Sequence, residues 1–142
     1  MINTTNLQKA KNEINKAKPP ITVLAQSLEF NRKMLEYGKF QTLLDIHSTK
    51  GYDKPKQLDS GLNHIMARIA TKNKVSIGID LNKIRGLPPK EKAKTIGRIK
   101  QNIKICRKAK CAITLLNYKD KKDASEFLIS LGASTPQVKE AL

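Results

Sequence analysis

The run from Asp59 to Leu81 constrains the fold most, because it passes within a few residues from a helical period to a strand. Asp59 and Ser60 are side chains that cap a helix start, and Gly61 lets the backbone turn into it. Leu62, Ile65, Met66 and Ile69 recur at helical spacing and predict one apolar stripe. After the polar link Thr71-Lys72-Asn73-Lys74, Val75 to Leu81 is β-branched and apolar enough to predict a strand covered on both faces, with Gly78 at its middle. A helix feeding a buried strand is one unit of an α/β fold.

The same unit recurs along the chain. Leu7, Ala10, Ile14 and Ala17 predict a basic amphipathic helix over 4–18, capped by Thr4 or Thr5 and ended by Pro19-Pro20. Ile21 to Ala25 reads as a short strand. Ser27 then caps a helix to about Tyr37 that buries Leu28, Met34 and Leu35, and Gly38 stops it. Thr42 to Ile46 is the next strand. Residues 47–58, with Gly51 and Pro55, have no period and form the longest loop. Beyond Leu81, the turn Gly86-Leu-Pro-Pro opens a helix from about Pro88 to Ala109. Cys111 to Leu116 predicts another buried strand. Asp123 caps a helix that places Phe127, Leu128 and Leu131 inward, Gly132 ends it, and Thr135-Pro136 starts a last short helix. Such alternation predicts one α/β domain over 1–142, a parallel sheet with right-handed crossovers. Four strands cannot close a barrel of eight.

Charge says more about partners than about fold. Lys and Arg number 28 against 12 Asp and Glu, a net +16, which attracts polyanions over a Debye length of about 8 Å. Eleven of the cations and one acid lie between Lys83 and Lys110. On the helix there, Ile96, Ile99, Ile103 and Cys106 share a narrow sector, while Lys90, Lys94, Arg98, Lys100, Lys104 and Lys108 occupy the opposite arc. Nucleic acid is the expected partner. Aromatic residues are 4% of the chain, and Tyr52, Tyr118 and Phe127 are scattered, so contact is expected with phosphates and helix shape rather than through a base-stacking platform. No apolar run approaches the roughly 18 residues of a membrane span, and no signal peptide is expected. Cys106 and Cys111 read as reduced thiols of a cytoplasmic protein.

Enzyme classes are poorly served. The turn after the first strand is Ala25-Gln26-Ser27, without a glycine-rich phosphate loop. Asp45, His47, Asp80 and Asp53 fall at or beyond strand C-terminal ends, where active sites of such folds lie, but His64 is the only other histidine. These side chains are expected to be solvated loop groups, with His64 packed beside its helix cap. The alternative is a degenerate metal-dependent phosphoesterase using Asp45, His47, Asp80 and His64; a general basic RNA-binding protein is a third reading. No catalytic or metal-ligating residue is assigned.

The run from Asp59 to Gly78 resembles the signature of the archaeal ribonuclease P protein component three family, relatives of the thirty-kilodalton subunit of the eukaryotic enzyme. Further matches follow in order: Leu28-Glu-Phe-Asn31-Arg32 at a helix head, and Lys92-Ala-Lys94 with Lys100-Gln-Asn102-Ile-Lys104 in the basic helix. The segment from Lys122 to Phe127 and the closing Pro136-Gln137, Lys139 and Ala141-Leu142 also match. The resemblance implies a partial TIM-like barrel, similar to phosphoesterases of the polymerase and histidinol phosphatase type but without their full ligand set. It also implies a protein subunit that supports a catalytic RNA in removing 5′ leaders from precursor tRNA. Magnesium would belong to the RNA subunit, with no cofactor bound by the protein. Component two is the implied protein partner. Family members begin with about two further strand and helix units, so the chain corresponds to the middle and later part of the barrel, and Leu115-Leu116-Asn117-Tyr118 stands where the family has a Ser-rich strand end. Uncovered sheet edges are expected to pair with component two or with a second copy of the chain. Arg32 and Arg68 from the family motif, and Lys90, Lys92, Lys94, Arg98, Lys100, Lys104 and Lys108 from motif and charge, are the expected phosphate contacts.

Overall fold

The computed structural model describes residues 1–49 and 59–142; Tyr52, Asp53 and most of the expected long loop lie outside them. The order is α1 (Leu7–Lys16), β1 (Thr22–Leu24), α2 (Leu28–Tyr37), β2 (Thr42–Leu44), a 3-10 turn (Ile46–Ser48), α3 (His64–Lys72), β3 (Ser76–Asp80), α4 (Leu81–Arg85), α5 (Pro89–Ala109), β4 (Ile113–Leu116), α6 (Lys121–Ser130) and α7 (Thr135–Ala141). The four strands make one parallel sheet in the order β1-β2-β3-β4, and Ile2 adds a single parallel bridge to Val23 on the outer edge of β1.

Consecutive strand order with right-handed crossovers brings α2, α3 and α5 to the same face of the sheet. Val23, Leu43, Ile77, Ile79, Ile113 and Leu115 point into that layer and are 0–2% exposed. The other face would line the barrel interior. It leaves Thr22, Leu24, Ser76, Asp80, Ala112, Thr114 and Leu116 half-buried, while Thr42 and Leu44 of the inner strand β2 are buried there. The expectation that β3 and β4 are covered on both faces is therefore corrected: in a partial barrel the second face has no strands opposite to pack against. Thr42, Ser76 and Thr114 share hydrogen bonds of 3.0 and 2.8 Å there. A methyl at Gly78 would lie 2.6 Å from Thr42 Cγ2, so this strand position has no room for a side chain.

The helix caps depart from the expected residues by a few positions. Asn6 caps α1 in place of Thr4 or Thr5, Asn63 caps α3 in place of Asp59 or Ser60, and Asp120 caps α6 in place of Asp123. Asp59 instead accepts the Gly61 N–H at 3.1 Å in a turn before α3. Gly61 has φ +78 and packs against the Ile46 carbonyl. With α3 starting later, its buried side is Met66, Ala67 and Ala70, and Ile65 is 60% exposed. The strand expected through Leu81 stops at Asp80, whose carboxylate caps the unexpected short helix α4 through the Asn82 N–H.

Candidate nucleic-acid interface

At the C-terminal ends of β2 and β3 the chain gathers charged side chains. Asp45, in the left-handed region at φ 60, follows β2 and is 3% exposed. Its Oδ1 accepts the Asp80 N–H at 3.2 Å, and its Oδ2 lies 2.9 Å from Lys83 Nζ. His47 is 2% exposed, with Nε2 3.7 Å from Asp45 Oδ1, too long for a hydrogen bond. Burial pushes the His47 imidazole below its ordinary value; Asp45 opposes this, while Lys83 and Arg98 reinforce it. Asp80 Oδ1 also accepts from Asn117 Nδ2 at 2.7 Å, and Arg85 donates to the Asn117 carbonyl at 3.1 Å. Asp45, which ties the ends of β2 and β3 to α4, and His47 are thus buried groups, not the solvated loop side chains expected from the sequence.

His64 does not join this cluster. It is the exposed first residue of α3, not a histidine packed beside the cap, and it lines a cleft with Gln101, Lys104 and Lys108 of α5. Among the described residues no group of three or more His, Cys, Asp or Glu is placed to hold a metal ion.

The expected phosphate contacts sort by their place on the helical layer. Lys90, Lys94, Lys100, Lys104 and Lys108 are exposed on α5. Lys100, Lys104 and Lys108 form a row, with a rise of about 6 Å between successive members. Lys104 borders the cleft with His64 on one side and a second, with Gly97, Lys100, Leu131 and Gly132, on the other. Arg68 is exposed on α3, and Arg32 is exposed on α2, where it pairs with Glu36 at 3.3 Å. Two residues turn toward the body of the protein. Arg98 is half-buried with its Nε enclosed, and its charge reaches His47. Its side is the row Arg98, Asn102 and Ile105; Asn102 is buried and donates to the Ser60 carbonyl at 3.3 Å. The buried sector of α5 is therefore wider than the narrow isoleucine stripe, because α3 and the 3-10 turn both pack on it. Lys92 is half-buried, one helical step before Ile96 on the apolar side.

Lys92 lines a cavity of about 410 Å³ that the sequence did not suggest. Leu81, Ile84, Ile96, Tyr118, Ala124 and Phe127 supply its apolar wall, with Arg85, Lys119, Asp120 and Asp123 around them. Two of the aromatic residues scattered in sequence meet here, since Tyr118 follows β4 and Phe127 lies two turns into α6. Cys106 and Cys111 are free, buried thiols; Cys111 Sγ lies 3.6 Å from the Val75 carbonyl, and the neighbouring Cys111 together with burial pushes Cys106 far above its ordinary value.

Fold and site together define an α/β protein of partial-barrel type whose exposed cations collect on the outer helices. The chain is 26% identical over 110 residues to ribonuclease P protein component 3 of Methanococcus maripaludis, a match that covers 75% of this chain and 44% of that protein. The chain is thus similar to that archaeal protein, in line with the resemblance in its residues, and spans under half of its length. In structure it is similar to a chain in the cryo-EM structure of archaeal ribonuclease P with mature tRNA, with a TM-score of 0.77 at 19% identity, covering 98% of this chain and 61% of that one. It is also similar to an uncharacterised protein, with a TM-score of 0.56 at 12% identity, covering 95% and 37%. No family model matches the chain.

Proposed function

We propose that this chain is an RNA-binding protein subunit of ribonuclease P, supporting the catalytic RNA in removing the 5′ leader of precursor tRNA. The observation that carries this reading is the exposed lysine row of α5, on a protein whose sequence is related to component 3. Successive lysines about 6 Å apart suit neighbouring phosphates of a nucleic-acid strand, and like charges this close repel unless a polyanion lies over them. The RNA and its magnesium ions perform the cleavage; the protein's residues neutralise phosphates and hold the RNA fold. Component two, or a second copy of the chain, covers the half-exposed face of the sheet, and the assembly works in the cytoplasm. The test is competition binding at fixed salt between ribonuclease P RNA and an unrelated structured RNA of equal length. Preference for the ribonuclease P RNA is expected. Equal affinity would contradict the reading and identify a general basic RNA-binding protein. No helix among the described residues is long and apolar enough to cross a membrane.

A further inference from the structure

We infer that the cavity between α4, α5 and α6 is a pocket for one unpaired nucleotide of a bound RNA. This rests on the RNA-binding reading above and adds a site to it. The pocket opens beyond the C-terminal ends of β3 and β4, since Leu81 directly follows Asp80 and Tyr118 lies two residues beyond Leu116. Ligands of open α/β sheets bind at that end. Its volume of about 410 Å³ lies in the range of small-molecule sites.

The occupant follows from the chemistry of the wall. Tyr118 and Phe127 offer ring surfaces beside Leu81 and Ile96, which suits a flat apolar base. Lys92 and Lys119 bring positive charge to the same cavity, and Arg85 is fixed beside it by its bonds to Asn82 and to the Asn117 carbonyl. An aromatic surface flanked by cations matches a nucleotide, with the base against the rings and the phosphate against the lysines. Asp120 and Asp123 accept hydrogen bonds from base amino groups and repel phosphate, which sets that orientation. Lys92 belongs to the same helix as the exposed lysine row, so a strand tracked by Lys100, Lys104 and Lys108 can continue toward the pocket. RNA of this kind is recognised by bases that leave the stack and lie on aromatic side chains.

The test uses two RNA hairpins of identical stem, one fully paired and one with a single bulged 2-aminopurine, titrated with the whole chain. The bulged hairpin is expected to bind about 5- to 150-fold more tightly, the range that stacking of one base supports, with a change in 2-aminopurine fluorescence. Tyr118→Ala should abolish the preference and Tyr118→Phe should keep it, with circular dichroism melts to confirm that both variants fold. Equal affinity of the unaltered chain for the two hairpins would overturn the pocket, as expected if the cavity instead receives an apolar side chain of a protein. A preference that survives in Tyr118→Ala would also overturn it. Failure to bind either hairpin would instead remove the RNA-binding reading on which the pocket rests.

Discussion

His47 shows how burial decides the role of a single residue. In the sequence it stands near Asp45 beyond a strand end, where a catalytic or metal-binding imidazole would stand. In the structure its neighbours are Asp45, Lys83 and Arg98 in a nearly closed setting, and burial favours the neutral ring. A folded-state value below the unfolded one means that the unfolded chain takes up the proton first as pH falls. Stability from this group is therefore complete above the ordinary imidazole value of about 6.5 and declines below it, by at most about 1.4 kcal/mol per pH unit. Urea midpoints measured between pH 7.5 and 5.5 should fall, and His47→Gln should flatten the fall. An unchanged slope in the variant would assign the pH dependence to other groups. The burial of Asp45 was not legible in sequence, because it depends on Lys83 returning from α4 to meet a carboxylate beyond the end of another strand, and His47 is enclosed in the turn that follows.

Among the elements, the strands and the long helices were legible, and their boundaries were less so. Each strand lies within two residues of its expected ends, because β-branched runs between polar links leave little choice of period. Caps were harder to place, since several Asp, Ser, Thr and Asn side chains precede each helix and the backbone turn selects among them: Asn63 wins over Asp59 because Gly61 first turns the chain against Ile46. On α5 the lysine arc was legible, but charge alone puts Arg98 and Lys92 on the surface, although Arg98 precedes Asn102 by four residues and Lys92 precedes Ile96 by four. Changing Lys100 and Lys104 together to Glu should weaken RNA binding and reduce the slope of log K against log salt by roughly one for each phosphate no longer neutralised. An unchanged slope would remove this helix face from the RNA interface.

At the scale of the whole molecule, the controlling fact is that all the crossover helices share one face of a four-stranded sheet. The other face holds half-buried Leu24, Thr114 and Leu116 with Asp80 as its charged residue, so the mutually repelling lysines lie elsewhere. Light scattering of the purified chain at tens of micromolar should report self-association, or a complex when component two is added; a monodisperse monomer under both conditions would contradict this covering of the sheet. The partial barrel itself was legible from the strand count and the resemblance, whereas the pocket joining Tyr118 to Phe127 arises only when β4 and α6 pack beside α5. The central claim is tested most directly by precursor-tRNA cleavage with ribonuclease P RNA and component two at limiting magnesium, with and without this chain. Stimulation that requires the RNA subunit is expected. A folded chain that leaves the cleavage rate unchanged would contradict its assignment to ribonuclease P.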